Sequence, residues 1–102
     1  MTIAQPTVRY AAHGAQELEK ILAVLKQHGA RRVILYGSFA RGDFRENSDF
    51  DLCVDGLSNK DFFVAVTDCL MVAKRPVSIT DLKNVHSYLR DRILNEGKVL
   101  FD

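Results

Sequence analysis

Apolar residues recur at helical spacing from Ala15 to His28, with Leu18, Ile21, Leu22 and Leu25 on one face. Gly29 stands where such a helix ends. Arg32-Val33-Ile34-Leu35-Tyr36 then reads as a short, strongly apolar strand. From Asp49 to Asp55 the chain alternates: Phe50, Leu52 and Val54 on one face, Asp49, Asp51 and Cys53 on the other. That is the pattern of a half-buried strand whose open face carries carboxylates. A second long helix is predicted over Asn59–Lys74, with Phe62, Val66, Leu70 and Ala73 on one stripe and Asn59 as its cap. Pro76–Thr80 predicts a strand with Val77 and Ile79 inward and Ser78 and Thr80 outward. A last helix runs through Val85, Leu89 and Ile93 to about Asn95 and stops near Gly97. Val99-Leu100-Phe101 closes as a short strand or a docked tail.

The order helix, strand, short turn, strand, helix, strand, helix predicts a small α/β (α+β) domain, with helices on one sheet face and a working cleft on the other. A chain of 102 residues fits a single domain, here residues 14–102, preceded by a loosely ordered lead-in over residues 1–13 that contains Pro6 and lacks periodicity. No apolar run approaches the ~20 residues of a membrane span, and no signal-peptide core is visible, so a cytoplasmic location is expected. The net charge of +1, from 14 basic and 13 acidic residues, speaks against a long polynucleotide partner. Cys53 and Cys69 form no CxxC pair and are expected to be reduced and buried. His13, His28 and His86 show no metal-ligand spacing and read as surface or packing residues. Arg31-Arg32 and Lys74-Arg75 are basic pairs at element ends, ordinarily solvated. The second pair, just before the strand of Ser78, also lies where a triphosphate can be met.

Candidate chemistry is concentrated in Gly37-Ser38-Phe39-Ala40-Arg41-Gly42 and Ser48-Asp49-Phe50-Asp51-Leu52. Gly37 has no Cβ and lets the backbone approach a phosphate closely. Ser38 would begin a short helical turn whose first N–H groups favour an anion. Arg41 is within reach of that anion or of Asp43. Two residues apart on one strand face, Asp49 and Asp51 have Cα atoms roughly 6.6 Å apart. Such carboxylates can share two divalent ions about 3.5–4 Å apart, the clamp used on transferring phosphoryl groups. Their hard oxygens favour Mg²⁺.

Gly-Ser-Phe-Ala-Arg-Gly followed by Asn-Ser-Asp-Phe-Asp-Leu closely resembles the minimal nucleotidyltransferase (MNT) family, small members of the DNA polymerase β-like nucleotidyltransferase superfamily. The resemblance runs from the first helix to Ile93-Leu94-Asn95-Glu96-Gly97-Lys98-Val99-Leu100-Phe101 and covers all but the first dozen residues. It implies a small mixed sheet and Mg²⁺-dependent transfer of a nucleotide, commonly AMP from ATP, to a hydroxyl acceptor. Gly37 and Ser38 match the phosphate-binding positions, with Arg41 beside them, and Asp49 and Asp51 match the metal-binding, catalytic positions. A partner polypeptide is also implied, either a small helical HEPN toxin that is adenylylated on tyrosine or a helical substrate-binding subunit.

One departure stands out. The family usually carries a third carboxylate on the strand after the second long helix, and side-chain parity puts Ser78 in that position. Asp81 has the opposite parity and would substitute only if the strand ended or bulged near Thr80. General-base assistance is worth about 10²–10⁴ in rate, so Ser78 exposes turnover to loss while leaving nucleotide binding intact. The main expectation is thus a nucleotidyltransferase moving AMP from ATP, or another nucleotide, to a hydroxyl of a partner. The alternative is a weakened enzyme fold serving as an antitoxin that acts by binding a HEPN-like toxin. Antibiotic nucleotidylation ranks lower, because a chain of this length offers no second domain for an acceptor pocket.

Overall fold

The computed structural model describes residues 14–43 and 48–102; the lead-in expected over residues 1–13 lies outside them. Helix α1 spans Ala15–Gln27 and ends through His28 into Gly29, whose φ of 103° lies in the left-handed region. Strand β1 (Arg32–Tyr36) leads into the one-turn helix α2 (Ser38–Arg41). Strand β2 (Phe50–Asp55), helix α3 (Asn59–Val72) and strand β3 (Val77–Asp81) follow. A 3₁₀ turn (Leu82–Asn84), helix α4 (Ser87–Glu96) and strand β4 (Lys98–Phe101) complete the chain.

The strands form one mixed sheet in the order β3-β2-β1-β4. β1 pairs antiparallel with both β2 and β4, whereas β2 and β3 run parallel. A parallel pair needs a long crossover, and α3 supplies it. The register sets Tyr36 opposite Asp51 and Asp51 opposite Ser78. Side-chain alternation then divides the sheet into two unlike faces.

On the first face, Val33, Leu35, Phe50, Leu52, Val54 and Leu100 are buried beneath Leu18, Ile21 and Leu25 of α1 and Ala65 and Cys69 of α3. Phe39 of α2 joins this core, its ring 4.5 Å from that of Phe50. The two long helices share this face, as the alternation predicts. The second face is apolar at one end only, where Ile34 and Cys53 lie under Leu82, Val85 and Ile93. Thus α4 covers part of the face expected to be open and leaves free the end that bears Asp51 and Ser78.

Four local expectations are corrected. Ser58, not Asn59, caps α3: its hydroxyl accepts the Asp61 N–H at 3.1 Å, and Asn59 is already helical. The buried stripe of α3 follows the expectation in part: Phe62 and Ala73 pack against the core. Small Ala65 and Cys69 face α1, while Leu70 is 56% exposed. Small side chains at the contact let the helices approach closely, and the Cys69 Sγ lies 3.9 Å from the Ile21 carbonyl oxygen. The strand expected over Pro76–Thr80 is shifted by one residue to Val77–Asp81, and the α4 pattern begins after Val85 rather than at it.

Candidate functional site

The end of β1, the α2 turn and the start of β2 meet at one point because Tyr36 and Asp51 are cross-strand partners. The next residue, Gly37, adopts φ 76°, ψ −153°, a conformation open essentially to glycine alone. A Cβ at that position would overlap the Asp51 carboxylate. Gly37 is therefore required twice, by its own backbone and by the acid packed against it. The two motif segments are one structure, with the Gly-Ser corner shaped around Asp51.

Gly37, Ser38, Arg41 and Asp51 line a cavity of about 320 Å³. Burial holds the Asp51 carboxyl above the usual carboxylate range, the charge of Asp49 pushes it the same way, and Arg41 opposes both. Asp49 lies one residue before β2 and is exposed. Arg41 borders the cavity and donates from Nε to Asp43 at 3.3 Å.

Ser78 is exposed and directly opposite Asp51 on β3, as its parity predicts. Asp81 sits three positions further along β3, opposite Val54. It is buried and accepts from the Lys83 Nζ at 2.7 Å and from the Lys83 backbone N–H at 3.1 Å. Those bonds and a displacement of about 10 Å along the strand keep Asp81 away from Asp49 and Asp51. Cys53 does not line the cleft either. It is buried beneath Ile93, and burial, with Asp81 and Asp55 nearby, pushes its thiol up to about 11.

The cavity has a second wall that the sequence pattern does not reveal: Leu89, Arg92 and Glu96 of α4. These recur one turn apart, and Arg92 pairs with Glu96 at 3.4 Å. In sequence they are an ordinary exposed i, i+4 pair. Only the return of α4 across the sheet brings them opposite Ser38. Tyr36 was missed for the same reason. Its ring spans β2 to place the hydroxyl 3.1 Å from Thr80 Oγ1, flooring the site. The basic pair Lys74-Arg75 does not face the cavity, since Arg75 packs half-buried against Glu17 on the helix side of the sheet.

The donor set suits magnesium. The half-buried Asp51 carboxylate is disfavoured as an anion by burial first and by the charge of Asp49 second, a situation that a cation relieves. Among the described residues no group of three or more His, Cys, Asp or Glu side chains converges. Asp49 and Asp51 are a pair, and a magnesium shell on them would be completed by phosphate oxygens and water.

Residues 19–102 match the family described as Polymerase beta, Nucleotidyltransferase. The chain belongs to that family. The candidate protein adenylyltransferase MJ0435 of Methanocaldococcus jannaschii is 35% identical to it over 81 residues, covering 76% of this chain and 87% of that protein. Among solved structures, a candidate minimal nucleotidyltransferase is 32% identical, with a TM-score of 0.66 over 82% of this chain and 88% of the other. A toxin–antitoxin crystallised with AMP-PNP shares the fold at a TM-score of 0.69 and 24% identity, over 81% of this chain and 71% of that one. The chain thus has the minimal nucleotidyltransferase fold, also found in a toxin–antitoxin assembly. Among its described residues, no helix is long and apolar enough to cross a membrane.

Proposed function

We propose that this chain binds a nucleoside triphosphate in the Gly37–Asp51 cavity and serves as the antitoxin of a small helical, HEPN-like toxin, acting chiefly by binding it. The observation that carries this reading is the exposed serine opposite Asp51. With Ser78 in the position of the usual third acid, and Asp81 bonded to Lys83 elsewhere, the site keeps what holds a nucleotide and lacks the carboxylate that would take the acceptor's proton. In this reading Gly37 and Ser38 approach the phosphates through the backbone and one hydroxyl, and Arg41 adds positive charge beside them. Asp49 and Asp51 hold Mg²⁺, which when bound neutralises phosphate charge and orients the triphosphate. The shared fold of the toxin–antitoxin assembly with AMP-PNP supports both the nucleotide and the partner.

A second reading is favoured by a different observation. The Gly37 corner is moulded to Asp51, and the likeness to the candidate protein adenylyltransferase points to AMP transfer from ATP to a hydroxyl of the partner. Here Asp49 and Asp51 remain the catalytic pair, and the acceptor must be deprotonated without a third carboxylate. The two readings separate in one experiment. The chain, or its Asp49→Ala/Asp51→Ala variant, is co-expressed with the neighbouring gene's product, and the purified proteins are incubated with labelled ATP and Mg²⁺. Binding and neutralisation that survive the double substitution, with no label on the partner, support the antitoxin reading. Label that disappears with the substitution supports transfer. Absence of both complex and nucleotide binding rejects the two together.

A further inference from the structure

We infer that Arg75 is a positioning residue for the acidic pair, holding the backbone on which Asp49 stands. This rests on the reading of Asp49 and Asp51 as ligands of the nucleotide's metal ion. The inference starts from a feature that the chemistry above leaves unused: a guanidinium only 17% exposed, facing a carboxylate, Glu17, only 12% exposed. Charges are withdrawn from water at considerable cost unless their bonds are satisfied. Glu17 accepts the backbone N–H groups of Lys74 and Arg75, the latter at 2.8 Å, and lies 3.7 Å from the Arg75 Nε. The guanidinium lies over the rings of Phe39 and Phe50, at 5.6 and 5.2 Å from their centroids. From there its Nη1 donates to the Ser48 carbonyl at 3.2 Å.

The last bond gives the cluster its meaning. Asp49 is exposed and precedes the first ladder residue of β2, so the sheet does not fix it. On one side its backbone is anchored by Arg75 on Ser48 O, and on the other by the Phe50 N–H, which donates to Pro76 O at 3.2 Å. Both anchors come from the Arg75-Pro76 dipeptide. The same guanidinium touches Phe39, the second residue of the Ser38 turn, and so couples the phosphate corner to the acidic pair. A lysine could not lie over two rings while also donating sideways, because its charge is a point and not a planar fork. Partners that orient ligands of this kind typically change metal affinity by 10–100-fold when removed.

The test compares wild type with Arg75→Met, Arg75→Lys and, as a control for general destabilisation, Ile21→Val in the α1 core. Amide hydrogen exchange of the ligand-free protein reads the peptide containing residues 48–51. Calorimetry reads AMP-PNP affinity with Mg²⁺ and with EDTA. Arg75→Met should raise exchange in that peptide well beyond any change in α3 or β1, and should weaken Mg²⁺-dependent binding about tenfold while barely altering metal-free binding. Arg75→Lys should fall between, and it carries the comparison if the methionine variant does not fold. Ile21→Val should move neither reading selectively. Unchanged protection of residues 48–51 in both Arg75 variants overturns the inference. If wild type binds no AMP-PNP, or Asp51→Asn leaves binding unchanged, the nucleotide reading fails instead, and the exchange result still decides Arg75.

Discussion

Replacing Gly37 by alanine tests the contact that joins the two halves of the site. The substitution adds a single methyl group, and the structure assigns it two separate penalties. The first is conformational: φ 76°, ψ −153° is closed to L-residues, and holding one there costs about 1–3 kcal/mol. The second is steric, because the new Cβ overlaps the Asp51 carboxylate, which must leave its place beside the corner. Contacting residues usually show coupling of about 0.5–3 kcal/mol. Urea unfolding of wild type, Gly37→Ala, Asp51→Ala and the double variant separates the terms. The conformational penalty persists in the Asp51→Ala background, and the steric one is eased there to a 3.2 Å approach to the remaining Cβ. At ~4–8 °C per kcal/mol for a domain of this size, the conformational penalty alone should lower the Tm of Gly37→Ala by roughly 4–24 °C. The same four proteins, titrated with AMP-PNP and Mg²⁺, should show lost binding in every variant. Equal cost of Gly37→Ala in both backgrounds would refute the packing of Gly37 against Asp51. A cost near zero would refute the strained corner as well.

Ser78→Asp puts a third carboxylate directly opposite Asp51. Differential scanning fluorimetry should find the variant less stable than wild type in EDTA and recovered by Mg²⁺, and transfer of label to the partner should rise by about 10²–10⁴ if a missing base is the only defect. A Tm indifferent to Mg²⁺ would contradict the shared face. Asp81→Asn should lose about 1 kcal/mol through its weakened contact with Lys83 yet leave AMP-PNP affinity unaltered; a large fall in affinity would return Asp81 to the site. Burial first, and Asp68 second, push the Cys69 thiol up from 9.0 to about 11. The folded chain therefore keeps that proton where the unfolded chain gives it up, so the stabilisation is complete below pH 9 and is lost as pH rises towards 11. Urea midpoints measured from pH 8 upward should fall more steeply for wild type than for Cys69→Ala, and parallel curves would reject the shift.

Much of the site was legible because β-strand parity is a strong rule. Once Phe50, Leu52 and Val54 are assigned to the core, Asp51 must point the other way, and the same reasoning places Ser78 outward on β3. The helical stripe of α1 was equally plain, since Leu18, Ile21 and Leu25 have no polar competitor on their face. Phe62 and Ala73 of the α3 stripe pack on the core as the spacing predicts, but hydrophobicity favours Leu70 where packing chose small Ala65 and Cys69 to bring two helices together. The cap was misread by one residue for a simpler reason: Ser58 and Asn59 both have the side chain for it, and only the backbone decides which stands outside the first turn. Arg75 looked like a solvated charge until Glu17, from the far end of the chain, was found beside it.

By itself, then, the sequence determined the chemistry on offer: a glycine-serine corner, two acids on one strand face, and a serine where a third acid would complete them. These follow from residue identity and from a period-two rule that operates within each strand. Tertiary structure decided which of these groups meet. Strand register placed Asp51 against Gly37 and Ser78 beside Asp51, and the path of α4 over half the sheet supplied Leu89, Arg92 and Glu96 as the opposing wall. A half-buried Glu17–Arg75 pair links the first helix to the segment bearing Asp49. Each of those contacts joins residues distant in sequence, and periodicity within one element carries no information about them.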